Sequence, residues 1–332
     1  SVPAYYYVAD KTFGADSSNN YDSLSADGSE DNADCKSYES CYRLVFVTAN
    51  SGKVRADDLD SGTDERQNFA NWYSFYRSRS LATISAASLA FYDLSSSTRI
   101  TWQNLSDCKQ LNKSNSTRCG DNRFREYSKE QRGEFYHWMQ NMRMNNATPL
   151  PTAMRRAGEF LRTDDTAWHA YPNNSSKQNT AKNTYSCRPS YHVMMTDGLW
   201  QTDIDNSSTI TRRDGDSFNL PEGGRSYPAG AHTKIYVDNA PAHTVADVAM
   251  NYWATDLRPD LDNKVPAYIP YKNSNSDIEF WDPRNNPATW QHMTNFIMGL
   301  GLTSSLNNPN IPWEGSTYAG EGYSKLKAGT ET

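Results

Sequence analysis

The stretch "SYHVMMTDGLWQTD", residues 190–203, places the tightest limit on the fold. Residues 191–195 form an apolar run of strand length, and Asp197 and Gly198 follow directly after Thr196. A strand that runs through a core and then delivers a carboxylate suits an α/β sheet, where ligands bind outside the carboxyl ends of the strands. Taken alone, an Asp-Gly after a strand is a turn, so the rest of the chain must decide.

The chain does alternate. "YRLVFV", residues 42–47, reads as a short strand inside a loop-rich first stretch, residues 1–63. From Asp64, "DERQNFANWYSFYRSRSLATISAASLAFYD" carries Phe69, Trp72, Tyr73, Tyr76, Ala82, Ile84, Ala87 and Phe91 near helical spacing and predicts one long amphipathic helix. "TRITWQNL" alternates as a strand, and "SKEQRGEFYHWMQNMRM" predicts a helix with Ser128 as N-cap and Gln131 behind it. "TPLPTAMRRAGEFLR" predicts a helix begun by proline, and "APAHTVADVAMNYWATDL" one that ends before Pro259. "PATWQHMTNFIMGLGL" reads as a short helix running into a buried strand, with a surface tail after Leu306. Strands alternating with helices indicate an α/β domain with a largely parallel sheet.

Composition narrows the function classes. The 332 residues carry a net charge of −6, which offers no basic face to nucleic acid. No run approaches the roughly 18 apolar residues of a membrane span. Ser1 opens neither a basic region nor an apolar signal segment, so any export signal is expected to have been removed. The five cysteines speak for export. Cys35 and Cys41 lie in a polar Ser/Asp/Asn-rich stretch, and Cys108 and Cys119 bracket "KQLNKSNSTR", a loop with almost nothing to bury. Bridges Cys35–Cys41 and Cys108–Cys119 would staple such loops in an oxidising compartment. Cys187 is then the odd cysteine, either free or paired outside this chain.

Several chemistries place an acid at a strand end. A phospho-acceptor would bring an acidic pair and a Lys, and an α/β-hydrolase a G-x-S-x-G elbow; neither pattern occurs here. Metal coordination asks for hard oxygen donors from several rim loops, and Thr148 in "NNATPLPTAM" stands just before a helix where it could supply one. Asp256, Asp260 and Asp262 in "TDLRPDLDN" crowd like a calcium loop but lack its Gly and terminal Glu. "RRDGD", residues 212–216, reads as a turn, and the six histidines are too scattered to assign a catalytic role. A metal-dependent hydrolase using Asp197 with His192 or His169 is the enzymatic alternative, without a nucleophile elbow or paired acid and base. A force-sensing domain without a ligand site is the structural alternative.

"NNATPLPTAMRRAGEF" resembles the second metal loop, and "SYHVMMTDGLW" the third, of von Willebrand factor A domains. More specifically, "ERQNFANWYSFYRSRSLATISA", "TPLPTAMRRAGEF", "CRPSYHVMMTDGLW", "HTVADVAMNYWATDLRPDL" and "WQHMTNFIMGLGL" resemble, in order, the N-terminal domain of the PilY/PilC-type tip adhesins of type IV pili. The resemblance implies a von Willebrand factor A-like, Rossmann-like sheet with helices on both faces and long disulfide-stapled insertions. Its divisions would be residues 1–63 as insertion, 64–306 as core and 307–332 as tail or linker. It further implies an extracellular, non-enzymatic module at a pilus tip, with minor pilins and host or surface ligands as partners. Thr148 and Asp197 would hold Mg²⁺, or Mn²⁺ or Ca²⁺, in a metal ion-dependent adhesion site. The first loop of that site, D-x-S-x-S after a strand, is absent: "LVFVTANSGKV" has its outline but puts Ala49, Ser51 and Lys53 at the ligand positions. The expectation is that the first strand lies upstream of Ser1 and that "VPAYYY" and "RLVFV" belong to an insertion.

Overall fold

The computed structural model describes residues 5–9, 42–46, 66–114, 118–143, 147–170, 184–196, 210–211, 217–222, 225–227, 244–282 and 284–299. The chain divides into two compact units, Ser1–Ala87 and Ser88–Thr332. In the first unit, strand β1 (Tyr5–Ala9) pairs antiparallel with β2 (Tyr42–Phe46), in the register Tyr5↔Phe46 to Ala9↔Tyr42. The "RLVFV" strand therefore pairs with "YYYVA" and not with the strand that leads to Asp197.

The single long helix expected from residue 64 onward is two helices, α1 (Arg66–Phe75) and α2 (Arg79–Tyr92). Local capping breaks it. The Arg77 guanidinium donates to the Tyr73 carbonyl at 2.6 Å, taking an orphan acceptor at the end of α1. Ser78 Oγ accepts from Leu81 N at 3.3 Å and opens α2 as an N-cap does. Ser85 Oγ then reaches back to the Phe75 carbonyl at 2.9 Å, a contact that a straight helix would not allow.

The second unit holds the remaining elements: β3 (Arg99–Ile100), β4 (Arg125–Glu126), α3 (Lys129–Gln140), α4 (Leu150–Thr163), β5 (Ser190–Thr196), β6 (Phe218–Asn219), β7 (Ser226–Tyr227), α5 (Val245–Ala254), α6 (Ser276–Trp281) and β8 (Met293–Gly299). The α3 start foreseen at Ser128 carries its cap, and α5 adds one that was not foreseen. Ser128 Oγ accepts from Gln131 N at 3.2 Å. The Gln131 side chain does not return the favour; fully buried, it bonds Arg125 Nε and the Arg123 carbonyl instead. At α5 the capping box is complete, with Thr244 N donating to Asp247 Oδ2 at 2.8 Å and Asp247 N to Thr244 Oγ1 at 3.2 Å.

Strands β5 and β8 pair in parallel from Ser190↔Met293 to Thr196↔Gly299, giving a mixed α/β architecture with a small parallel sheet. One face of this pair enters the core: Met194 and Met293 pack with Leu150, Ala153 and Met154 of α4, Val248 and Tyr252 of α5, and Trp168. A second cluster joins Met250 and Ala254 of α5 to Leu220, Tyr227, Trp281 and Trp290. The two helices cross closely because Gly158 of α4 has no side chain: a Cβ there would be driven into the Tyr252 ring. The Tyr252 hydroxyl continues past it to donate to Glu159 Oε1 at 2.6 Å.

Two further expectations need correction. "TRITWQNL" contributes a ladder of two residue pairs, Arg99↔Glu126 and Ile100↔Arg125, because from Thr101 onward side chains take over the backbone groups, the Thr101 hydroxyl donating to the Asn122 carbonyl and the Asn122 amide to that of Trp102. No helix precedes β8 in "PATWQH", where Trp290 and Gln291 are buried and hydrogen-bonded to distant carbonyls. Nor is β8 buried along its length. Phe296 and Met298 are exposed, as are Tyr191 and Val193 of β5, since the helices just described lie on the Met194 side; Ile297, beside Met194 on that face, is exposed as well.

Candidate functional site

The candidate site is the carboxyl rim of the β5–β8 pair. The parallel register brings both strands to this rim together, at Thr196 and Gly299. Asp197 is the next residue after Thr196 and lies outside the described residues, as do Cys35, Cys41, the 49–53 turn, residues 212–216 and the tail after Leu306.

Thr148 stands at the entry to α4, half-buried. Its carbonyl accepts from Leu150 N at 2.9 Å, and among the described residues no group bonds its hydroxyl, which is free to serve as a hard oxygen donor. Helix α4 begins with Pro149 in the cap position, without a side-chain cap. Its uncapped amide end carries partial positive charge and does not attract a cation. A cation beside Thr148 therefore depends on carboxylate charge from elsewhere, the role that Asp197 would fill. Among the described residues no group of three or more His, Cys, Asp or Glu is arranged to hold a metal.

What the structure does supply is a rigid seat for α4. On one side stands the Gly158–Tyr252 crossing with α5. On the other, Arg156 donates to Gln103 Oε1 at 2.8 Å and to the carbonyls of Asn104 and Leu105 at 3.0 and 2.8 Å. Gln103 closes the clamp by donating to the Ala153 carbonyl at 2.8 Å. The clamped segment carries the disulfide Cys108–Cys119, with Cα atoms 5.5 Å apart. It also buries more than its sequence suggests, since Leu105 and Leu111 pack against the core. Nothing in the local pattern marks Gln103 or Arg156 as partners; Arg156 reads as one more charge on an amphipathic helix.

The competing candidates are accounted for by their neighbours. Arg258 grips Asp260 with two bonds, 2.8 and 2.7 Å, and holds its carboxyl below the ordinary range. Asp262 pairs with Lys264 at 2.5 Å. Burial raises the Asp256 carboxyl, whose Oδ1 accepts from Arg258 N at 2.9 Å. Asp260 and Asp262 are thus taken up by ion pairs and Asp256 by a backbone amide. His192 places Nδ1 2.9 Å from Asn295 Oδ1 across the β5–β8 ladder, and burial lowers its pKa, so it is a neutral cross-strand link. His169 is the exception: it is buried, its ring Nδ1 has no partner among the described residues, and the bonds from Arg99 and Arg188 go to its carbonyl. Cys187 is free and exposed. Among the described residues no helix is long and apolar enough to cross a membrane.

Comparison with known proteins gives one consistent relationship. The chain is 46% identical over 292 residues to the type IV pilus biogenesis factor PilY1 of Pseudomonas aeruginosa strain PAK, which covers 87% of this chain and 23% of that protein. It is 47% identical over 272 residues to the protein of the same name from strain PAO1, and 41% identical over 275 residues to that from strain UCBPP-PA14. In these two the match covers 80% and 81% of this chain and 22% of each relative. The chain thus spans less than a quarter of the length of the curated relatives it matches. No family model and no solved structure matches it.

Proposed function

We propose that this chain is a von Willebrand factor A-like module, residues 64–306 with the 1–63 insertion and the 307–332 tail, of a type IV pilus biogenesis factor. It acts outside the cell at the pilus tip and performs no catalysis. The observation that carries this reading is the 41–47% identity to proteins named as type IV pilus biogenesis factors, sustained over 80–87% of the chain. The fold is compatible with it: a parallel strand pair ends at a rim, and the residue after Thr196 is an aspartate.

At that rim, Thr148 and Asp197 hold a divalent cation, Mg²⁺ or alternatively Mn²⁺ or Ca²⁺. The donor set fits a hard ion, because a free hydroxyl and a carboxylate are oxygen ligands of the kind Mg²⁺ takes. The two residues do not complete its coordination sphere, so other ligands come from elsewhere in the longer protein. The bound ion would supply Lewis-acid attraction for a carboxylate on a host or surface ligand. Minor pilins of the tip are the assembly partners.

The test uses the full-length parent protein. Asp197→Ala should abolish Mn²⁺ binding by calorimetry while leaving the thermal midpoint nearly unchanged, and Thr148→Ala should weaken binding at least fivefold. Electron microscopy of bacteria carrying a deletion of residues 64–306 should show fewer pili. Equal metal affinity in Asp197→Ala would overturn the rim site, and normal piliation and attachment without the domain would overturn the assignment as a whole.

A further inference from the structure

Arg99 of β3 and Arg188, which leads into β5, converge on one backbone oxygen. Arg99 donates to the carbonyls of His169 and Ala170 at 2.5 and 2.7 Å. Arg188 Nη1 donates to the same His169 carbonyl at 3.3 Å and reaches that of Ala167 at 3.5 Å. Two cations thus share one neutral acceptor. The carboxylate within reach among the described residues is that of Glu126, which lies 4.0 Å from Arg99 with its own side chain largely in solvent.

The two guanidiniums are not equivalent. Arg99 is nearly enclosed and spends both terminal nitrogens on carbonyls. Arg188 sits over the Tyr185 ring, with Cζ 4.3 Å from its centroid, and uses Nη1 alone. Its Nε and Nη2 bond no described group, and neither is a buried orphan, so this edge of the fork is uncommitted and not sealed off from solvent. Burial, and then the charge of Arg99, lower the Arg188 pKa to about 10, so an incoming negative charge would relieve a repulsion already present. An aromatic-stacked guanidinium with two parallel donors open is the geometry that matches a carboxylate bidentately. One open fork serves a planar monoanion better than a phosphate, whose extra oxygens and charge would call on donors that Arg99 has already committed.

We propose that Arg188, stacked on Tyr185 and backed by Arg99, is a carboxylate-binding site separate from the strand-end rim. It does not depend on the metal reading and would stand if the rim held no ion. The ligand is a carboxylate, a chemistry shared by the Glu or Asp side chain of a protein and the acid group of a uronic sugar.

The test follows the Arg188 Nε–H signal by NMR in the full chain, with acetate as the bare probe. Acetate should shift that signal in saturable fashion, and equimolar inorganic phosphate should bind at least fivefold more weakly. Arg188→Gln should abolish saturable acetate binding, and Arg188→Lys, which keeps the charge but loses the fork, should weaken it about tenfold with an unchanged thermal midpoint. A hexaglutamate peptide and a galacturonate oligomer then identify the source. Tighter binding of either than of acetate supports the site and names the ligand class. No saturable shift with acetate, or equal acetate affinity in Arg188→Lys, overturns the proposal.

Discussion

Residues 99–126 and the α4–α5 pair rest on the same core, yet they are held by opposite means. The helices are held by apolar burial: Leu150, Met154, Val248, Tyr252 and Trp168 are each buried almost completely. The segment before α3 is held by amides. Asn122 is buried and donates to the carbonyls of Trp102 and Gln110 at 2.7 and 2.8 Å, while its Oδ1 accepts from Lys113 N at 2.8 Å. Asn112, in the left-handed region at φ 56°, bonds Asp164, Thr166 and the Phe124 amide. Apolar burial is non-directional and tolerates small shifts, whereas a saturated amide network fixes a loop conformation and leaves unpaired groups when one member is lost. The contrast has a functional sense: the helix that Thr148 leads into is packed on one side and clamped by polar bonds on the other.

The comparison breaks most sharply at Trp168. This residue is fully buried and donates from Nε1 to the Leu161 carbonyl at 2.8 Å. Trp168→Ala should cost about 4 kcal/mol and lower the midpoint of the whole second unit in thermal unfolding. Asn122→Ala should cost somewhat less, about 3 kcal/mol, because it strands two carbonyls and one amide. Its signature should be local: hydrogen exchange ought to accelerate in residues 99–126 while α4 and α5 stay protected. Equal acceleration in both regions would show that the two are one cooperative unit and that the contrast has no energetic meaning.

The smallest expected effect is in pH. His292 donates from Nδ1 to the Trp290 carbonyl at 2.7 Å and accepts at Nε2 from Asn286 Nδ2 at 2.9 Å, an arrangement that only the neutral ring can make. Burial lowers the pKa of both His292 and His192 below 6.5. Between those lowered values and about 6.5 the unfolded chain binds more protons than the folded one, so stability rises with pH across that window. The contribution is fully present above about pH 6.5 and is lost as pH falls through the folded values. Urea midpoints at pH 5.0 and 7.5 should therefore differ in favour of the higher pH, and His292→Gln should flatten part of that slope. Because His192 lies within β5 and His292 directly precedes β8, the change should appear in the sheet and helices and spare the amide-held segment.

What the sequence by itself determined is whatever physics settles within a few residues. Ser128 announces its helix because its hydroxyl reaches an amide three residues on; Thr244 does the same at α5, a local signal that was passed over. The proline-led α4 follows from its own periodicity, as does the strand before Asp197, and the polar loop between Cys108 and Cys119 invites its bridge. Even the break between α1 and α2 was open to reading at Ser78, a local cap overshadowed by the longer apolar pattern. Only the tertiary structure decided the rest. Arg156 meets Gln103 across 53 positions, Asn112 meets Asp164 across 52, and Arg188 meets the same carbonyl as Arg99 although 89 positions separate them. Arginine and amide side chains carry no periodic signal, since each is acceptable on any wet surface. Which of them becomes a buried clamp, and which is left with an open fork, is set by what the folded backbone happens to place opposite it.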